Sequence, residues 1–337
     1  MGYWRQRKRA WLSLGIAEAP PDEIVAQADR ARAALSMASK SGRDPDFYSQ
    51  KRAFERQLGR KISTAEFERE HYVNVQKPGT FSATGTSVFD PVLCEIAYRW
   101  FCPAGGRVLD PFAGGIMAGA VAAYLGRPFV GVELCGDVVE ANRRRWEEVE
   151  RTAPVELESA RWIEGDSREL EGLLGGEELF DLAYTSPPYY DREVYSEDDR
   201  DISNMTWEAF LEAYRAIIAA VVDRLAADRF VVWSMSEVRD RAGNYRGLGP
   251  ETVRAFEDAG ASYYNEAILV TPAGSWPIRI GRQFQSGRKL ARIHQNILIF
   301  VKGDGRAAAA ACGEIEVASV DELARELAGE EAEEDGG

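Results

Sequence analysis

The chain of 337 residues is long enough for one large α/β core plus an appendage, and 45% hydrophobic content is ordinary for a water-soluble protein. No apolar run approaches the roughly 18 to 20 residues of a membrane span, and residues 1 to 9 are basic rather than apolar, so a membrane segment and a signal peptide are not expected and the location reads as cytoplasmic. The net charge of -14 argues at first against a polyanionic partner, but residues 314 to 337 hold ten acids against one arginine, and about -5 remains without them.

Residues 1 to 78 carry fifteen Lys/Arg against ten Asp/Glu and read as a helical appendage without a large core of its own. Tyr3, Trp4 and Trp11 stand among Arg5, Arg7, Lys8 and Arg9, the pattern of a basic helix with an aromatic face. It could touch nucleic-acid phosphates, or lie on the main domain with its charges in water. Ala19-Pro20-Pro21-Asp22 breaks the chain ahead of an Ala-rich helix to about Lys40, and Ser63-Thr64-Ala65-Glu66 has the spacing of a capping box that opens a short helix through Glu70.

The main domain is expected over residues 79 to 303. Small hydroxyl residues and glycines from Pro78 to Ser87 leave backbone amides accessible ahead of a helix from about Asp90 to Trp100. A first strand, Arg107 to Leu109, ends at Asp110-Pro111-Phe112-Ala113-Gly114-Gly115, where glycine permits positive φ and close approach of a ligand to the backbone. A helix through Gly119 to about Leu125 follows, then a second strand from Arg127 to Glu133. Glu133 lies 23 residues after Asp110. An acid in that position can accept both hydroxyls of a ribose, the alternative being a solvated loop acid. A helix from Asp137 to Glu150 and a third strand around Arg161 to Glu164 lead to Gly165-Asp166-Ser167.

Phe180 to Thr185 is the fourth strand, stopped by Ser186-Pro187-Pro188-Tyr189. Two successive prolines fix φ and remove two donors, so the chain leaves the sheet in a stiff, extended corner. After a polar loop, Asp191 to Asp201, apolar spacing predicts a helix over Trp207 to Leu225, a fifth strand at Arg229 to Met235, a loop at Gly243 to Gly247 and a helix at Glu251 to Ala259. The sixth and seventh strands, Glu266 to Thr271 and Asn296 to Val301, close a hairpin around a long loop, Pro272 to Gln295. No acid occurs from Ala267 to Gly303, whereas Arg279, Arg282, Arg288, Lys289, Arg292 and Lys302 do. Such a loop attracts phosphates, and Trp276, Phe284 and His294 could stack on bases. Residues 304 to 337 form an acidic tail, partly disordered, with a short helix at Asp321 to Leu327. Cys94, Cys102, Cys135 and Cys312 lack Cys-x-x-Cys spacing and only His71 and His294 could join them, so neither zinc nor a structural disulfide is expected.

Val108 to Gly115, Gly131-Val132-Glu133-Leu134 and Ser186-Pro187-Pro188-Tyr189 together resemble the amino-group DNA methyltransferases, which use S-adenosylmethionine to methylate an exocyclic amine of cytosine or adenine. The likeness spans about residues 79 to 303 and extends more loosely to bacteriophage and prophage methylases. Serine ahead of the prolines is similar to the N4-cytosine branch, since the adenine branch usually has Asp or Asn there. The resemblance implies an α/β fold, a Rossmann-like seven-stranded sheet, mostly parallel with an antiparallel last strand. It implies that Thr86, Ser87, Asp110, Phe112, Gly114, Glu133, Asp166 and Ser186 hold S-adenosylmethionine, with Thr86 and Ser87 at the methionine carboxylate and Asp166 at the adenine amino group. Ser186, Pro187, Pro188 and Tyr189 then form the catalytic set, Ser186 and the Pro187 carbonyl accepting the amine's hydrogens while Tyr189 stacks on the base.

The implied partner is double-stranded DNA with its target base flipped, met by Arg279, Arg282, Arg288, Lys289 and Arg292; no metal is needed, and a homodimer stays open. The family usually continues its glycine turn as Gly-Ser-Gly-Thr-Thr, whereas Gly114-Gly115-Ile116-Met117-Ala118 stands here, so no side-chain bonds are carried over to 115 to 117. Two rivals remain: adenine in DNA or an amine in structured RNA as acceptor, and a nucleic-acid-binding subunit that has lost catalysis.

Overall fold

Asp90 precedes Pro91, and its carboxylate accepts the Val92 amide at 3.0 Å, so helix α1 (Pro91–Phe101) opens on a capping acid followed by a proline whose missing donor costs nothing there. The computed structural model describes residues 4, 7, 8, 11, 14, 16, 90–175, 179–190, 198–240, 242–270, 276–290 and 292–315, with 276–280 and 282 described by backbone alone. Thr86, Ser87 and the helices expected at 22 to 40, 64 to 70 and 321 to 327 lie outside the described residues.

After α1 the chain alternates: β1 (Val108–Asp110), α2 (Met117–Tyr124), β2 (Phe129–Glu133), α3 (Gly136–Thr152), β3 (Ala160–Glu164), α4 (Leu170–Leu174), β4 (Phe180–Thr185), α5 (Trp207–Arg224) and β5 (Leu225–Met235). It closes with α6 (Leu248–Asp258), β6 (Ser262–Val270), α7 (Trp276–Gly287), β7 (His294–Lys302) and α8 (Gly305–Cys312). The seven strands lie in the order β3-β2-β1-β4-β5-β7-β6. The first five run parallel, and β7 is antiparallel to both β5 and β6. This is the α/β, Rossmann-like sheet expected. Crossovers run outward from β1 through β2 to β3 and then in the other direction through β4 to β5, so the carboxyl ends of β1 and β4 flank the crevice where open α/β sheets bind ligands.

Period-two alternation explains the burial. Val108, Leu182, Tyr184 and Val232 face α1 and α2, while Leu109, Ala183, Val231 and Trp233 face α5 and α6. The central strands are therefore apolar on both sides, and the core is two layers split by the sheet.

Element ends differ from expectation by a few residues in most cases. Three differences are larger, the first being β5, which starts at Leu225 rather than Arg229 and follows α5 without a break. Strand β6 starts at Ser262, four residues before Glu266, because Tyr263 and Asn265 already pair with Phe300 and Ile299 across a register shift. The segment expected as a loop from Pro272 to Gln295 contains helix α7. Pro277 falls in its first turn, where proline is tolerated, and one internal glycine, Gly281, costs only about 1 kcal/mol. In the stretch read as acidic tail, Asp304 caps α8 at the Ala307 amide (2.7 Å) and Ala308 is fully buried on the core. Among the described residues no helix is long and apolar enough to cross a membrane.

Of the basic, aromatic N-terminal residues, Trp4, Arg7, Lys8 and Trp11 lie on α1. Lys8 Nζ and Trp4 Nε1 donate to Asp90 at 3.0 and 3.3 Å, and Arg7 Nε, Trp11 Nε1 and Arg99 Nε donate to Glu95 at 2.8, 2.7 and 2.9 Å. Of the two readings, docking on the main domain is the one observed for these side chains. Burial alone would raise the Glu95 carboxyl, but the bonds from Arg7, Trp11 and Arg99 outweigh it and bring it down to about 2 from 4.5. A depressed carboxylate stabilises the fold above its unfolded value and loses that contribution as pH falls toward the folded one. We therefore expect Glu95→Gln to lower the melting temperature at pH 7 by roughly 2 to 6 °C and to erase part of the acid sensitivity between about pH 4.5 and 2. Thermal melts across that range check this, and identical curves for the two proteins would contradict the docking energetics.

Candidate functional site

Asp110 ends β1 and is fully buried. Its Oδ1 accepts the Phe112 amide at 3.0 Å and the Thr185 hydroxyl at 2.6 Å. Thr185 is the last residue of β4, directly before Ser186, so one carboxylate oxygen joins the glycine turn to the proline corner. The other oxygen, Oδ2, is buried without a hydrogen-bond partner. Burial pushes this carboxyl up to about 7, outweighing the bonds from Thr185 and Phe112 that act against it. With no exposed surface, Asp110 shapes the turn from behind it.

The other parallel strands hold the same turn. Ser167, just after β3, donates to the Pro111 carbonyl at 2.6 Å, and the Ala113 amide donates to Val132 O at 3.1 Å. Asn142 Nδ2 of α3 reaches the Gly114 carbonyl at 2.6 Å, while the Gly114 amide donates to Glu133 Oε2 at 3.1 Å. Gly114 has φ +49, and a Cβ there or at Gly115 would meet nothing within 4 Å. The turn therefore borders open space that a ligand can occupy.

Glu133 stands at the end of β2 as expected. Its Oε1 accepts the Cys135 amide at 2.8 Å, so each oxygen is oriented by one amide and keeps a second lone pair. Burial raises the Glu133 carboxyl against those amide bonds, and the nearby Asp201 charge adds to the rise. Donors from a diol would favour its ionised form. Asp166 follows β3 and caps the short 3-10 turn Ser167–Glu169 by accepting the Arg168 amide at 2.9 Å. Burial raises its carboxyl, but Arg168, whose guanidinium bonds both oxygens, wins and holds it below the usual range. The rim at β3 is thus an ion pair rather than a bare acid.

At the corner, Pro187 is buried and Ser186 and Pro188 are half-buried. Ser186 Oγ lies 3.0 Å from Tyr189 OH. Tyr189, expected to offer its ring to a base, is only 7% exposed. Tyr190 takes φ +53, a left-handed conformation that costs on the order of 1 to 3 kcal/mol unless its surroundings enforce it. They do: its ring lies edge-on to Trp207 and Phe210 at 5.1 and 5.3 Å, and the Arg246 guanidinium sits 5.0 Å from the Tyr190 and Trp207 rings alike. Beneath them Phe210 stacks on Tyr214, whose hydroxyl accepts from Trp233 Nε1 at 2.7 Å, and Trp233 meets Phe112 edge-on at 6.1 Å. One aromatic floor therefore supports both the corner and the glycine turn.

The expected phosphate ligands divide. Arg279 and Arg282 belong to α7, described there by backbone alone. The Arg288 guanidinium covers the Phe284 ring at 5.1 Å. Lys289 Nζ donates to Gly243 O at 2.7 Å, and Arg292 bonds the His294 carbonyl at 3.2 Å and the Asn296 side chain. Sequence reading missed Thr185, Asn142, Ser167, Tyr190 and Arg246. A hydroxyl at the last position of a central strand and another beside Asp166 were visible signals; nothing local marks Asn142 or Arg246. Among the described residues no three His, Cys, Asp or Glu side chains gather as a metal site.

No family model matches the chain, and no curated protein matches it. Solved structures do. TrmN from Thermus thermophilus aligns with TM-score 0.42 and 15% identity over 64% of this chain and 50% of that one, so the chain spans about half its length. A TehB-like SAM-dependent methyltransferase from Corynebacterium glutamicum aligns with TM-score 0.40 and 16% identity over 65% and 91%. Magnesium protoporphyrin IX methyltransferase from Synechocystis, solved with bound SAM, aligns with TM-score 0.38 and 12% identity over 63% and 76%.

Proposed function

We propose that the chain is an S-adenosylmethionine-dependent methyltransferase whose acceptor is the exocyclic amine of a nucleic-acid base, the N4 of cytosine in DNA. The observation that supports this most is the Asp110 carboxylate bound at once to Phe112 of the glycine turn and to Thr185 of the corner, so that a donor site and an acceptor site share one wall. The residues present fit the cofactor. Open space borders Gly114 and Gly115, and Glu133 keeps free lone pairs for the ribose hydroxyls. Phe112 and the Asp166–Arg168 pair would border the adenine. When bound, S-adenosylmethionine supplies an electrophilic methyl group on sulfur.

The remaining work falls to the corner. An exocyclic amine is a poor nucleophile because its lone pair is delocalised into the ring. Ser186 Oγ and the Pro187 carbonyl accept its two hydrogens, which turns the nitrogen toward a tetrahedral shape and frees the lone pair along a fixed direction. Once the new N–C bond has formed, the cationic nitrogen loses one of those protons to water; the neutral Ser186 hydroxyl orients that hydrogen and does not retain it. Tyr189 fixes the Ser186 hydroxyl through their 3.0 Å bond and borders the base with its ring. Proline stiffness makes this geometry available without reorganisation, the kind of positioning worth up to roughly 7 to 11 kcal/mol. A base paired in a duplex must first leave its stack.

Charge supports a polyanion as acceptor. Arg239, Arg246, Arg288, Lys289 and Arg292 bond carbonyl or amide oxygens or cover aromatic rings, and among the described residues none of them forms an ion pair. They are thus cations outside any ion pair, on a chain that is acidic overall. Digesting DNA from cells that express the chain and weighing the nucleosides tests the acceptor. N4-methylcytosine is expected; N6-methyladenine, or a methylated amine in RNA alone, would move the reading to the corresponding rival.

A further inference from the structure

Between β5 and α6 the chain folds into a small hairpin whose arms are Val238 to Asp240 and Asn244 to Arg246. Arg239 and Tyr245 pair antiparallel, the Arg246 amide donates to Val238 O at 3.0 Å, and the Asp240 amide donates to Asn244 O at 2.9 Å. Gly243 turns it at φ +83, a conformation that favours glycine, and its carbonyl accepts Lys289 Nζ at 2.7 Å, which pins the hairpin to the segment before β7. Its other anchor is Arg246, held between Tyr190 and Trp207 with its Nε buried and without a hydrogen-bond partner. The hairpin is thus fixed at both sides and stands beside the proline corner.

Its outer surface is built for a flat anionic ligand. Tyr245 is 49% exposed, yet its ring is immobilised on the Arg239 guanidinium at 3.7 Å. The acids of the hairpin are bound to backbone amides: Glu237 accepts the Gly247 and Gly249 amides at 3.2 and 2.6 Å, and Asp240 accepts the Asn244 amide at 2.8 Å. The surface thus offers an aromatic face over a cation, near Lys289, which among the described residues forms no ion pair. Rings of this kind stack on any base, while the cations track the backbone.

We infer that this hairpin is a strand-holding finger for DNA: Tyr245 stacks on an unpaired base neighbouring the one that enters the corner, and Arg239 and Lys289 meet the adjoining phosphates. The inference rests on the functional reading above. A base that enters the corner leaves its neighbour in the strand without a stacking partner, and a rigid ring one residue from Arg246 is placed to supply one.

The test measures binding of fluorescein-labelled single-stranded DNA and RNA of matched mixed sequence to the full chain over a salt series, with labelled-methyl incorporation into DNA run on the same wild-type samples. Tyr245→Ala is expected to weaken DNA binding about ten-fold or more at every salt concentration, and Tyr245→Phe to stay within about two-fold of wild type. Lys289→Ala is expected to reduce the slope of log K against log salt by about one, a slope that Tyr245→Ala leaves unchanged. Binding unaffected by Tyr245→Ala overturns the finger, and does so alone if the wild type still methylates DNA. A ten-fold loss seen with RNA and not with DNA overturns DNA as the occupant. A wild type that binds neither polymer overturns the finger together with the reading beneath it.

Discussion

Ser186→Ala is expected to lower kcat for methyl transfer by about 10² to 10³, with cofactor affinity close to wild type. In the proposed reaction the serine hydroxyl is one of two acceptors that reshape the amine. Removing it leaves the Pro187 carbonyl alone, and the nitrogen lone pair stays delocalised and poorly aimed. A hydrogen replaces the hydroxyl at a half-buried site, so little structural loss accompanies the change. Tyr189→Phe separates the tyrosine's two contributions. It keeps the ring that borders the base and deletes the hydroxyl that holds Ser186 at 3.0 Å, so kcat should fall by about ten-fold while KM for the nucleic acid changes little. Single-turnover rates with saturating cofactor check both. A Ser186→Ala enzyme at the wild-type rate would remove the corner from the chemistry.

Glu133→Gln should do the opposite: weaken S-adenosylmethionine by about 10- to 100-fold and leave the rate at saturating cofactor within a few-fold. The carboxylate is oriented by the Gly114 and Cys135 amides, and in the proposed complex its remaining lone pairs take the ribose hydroxyls as charge-assisted bonds. An amide supplies one acceptor where the carboxylate supplies two, and must turn its NH2 toward one of those backbone donors. Glu133→Asp keeps the charge one methylene short and should fall between the two. Calorimetric titration with the cofactor checks the series, read beside melting curves that report whether the turn is intact. Unchanged affinity in Glu133→Gln would place the ribose elsewhere.

These two variants divide the site along the line the fold draws. The proposed donor half is held by β1, β2 and β3, the proposed acceptor half by β4 and the aromatic floor, and Asp110 and Thr185 join them. Both halves were legible as short motifs because their chemistry is local: glycine at a left-handed turn, an acid closing a strand, two prolines stopping another. Alternation of buried strands with amphipathic helices made the sheet legible in the same way.

What joins the halves was not legible. Asp110 and Thr185 are 75 residues apart and meet only when β1 and β4 pair in parallel. Arg246 reads as an ordinary loop arginine until α5 brings Trp207 beneath it. The N-terminal tryptophans and basic residues suit a phosphate surface or an acidic helix equally well, and only the buried position of Glu95 decides between them. Helix α7 was hidden because a proline and internal glycine lower local propensity without forbidding the helix.

The most direct measurement incubates the purified chain with S-adenosylmethionine labelled in its methyl group and a mixed-sequence DNA, then counts label retained on the polymer, with Ser186→Ala in parallel. The account predicts label on cytosine amines that the wild type deposits and the Ser186→Ala enzyme does not. Firm cofactor binding with no label on DNA or RNA of any sequence tried, or equal label from both proteins, would contradict it.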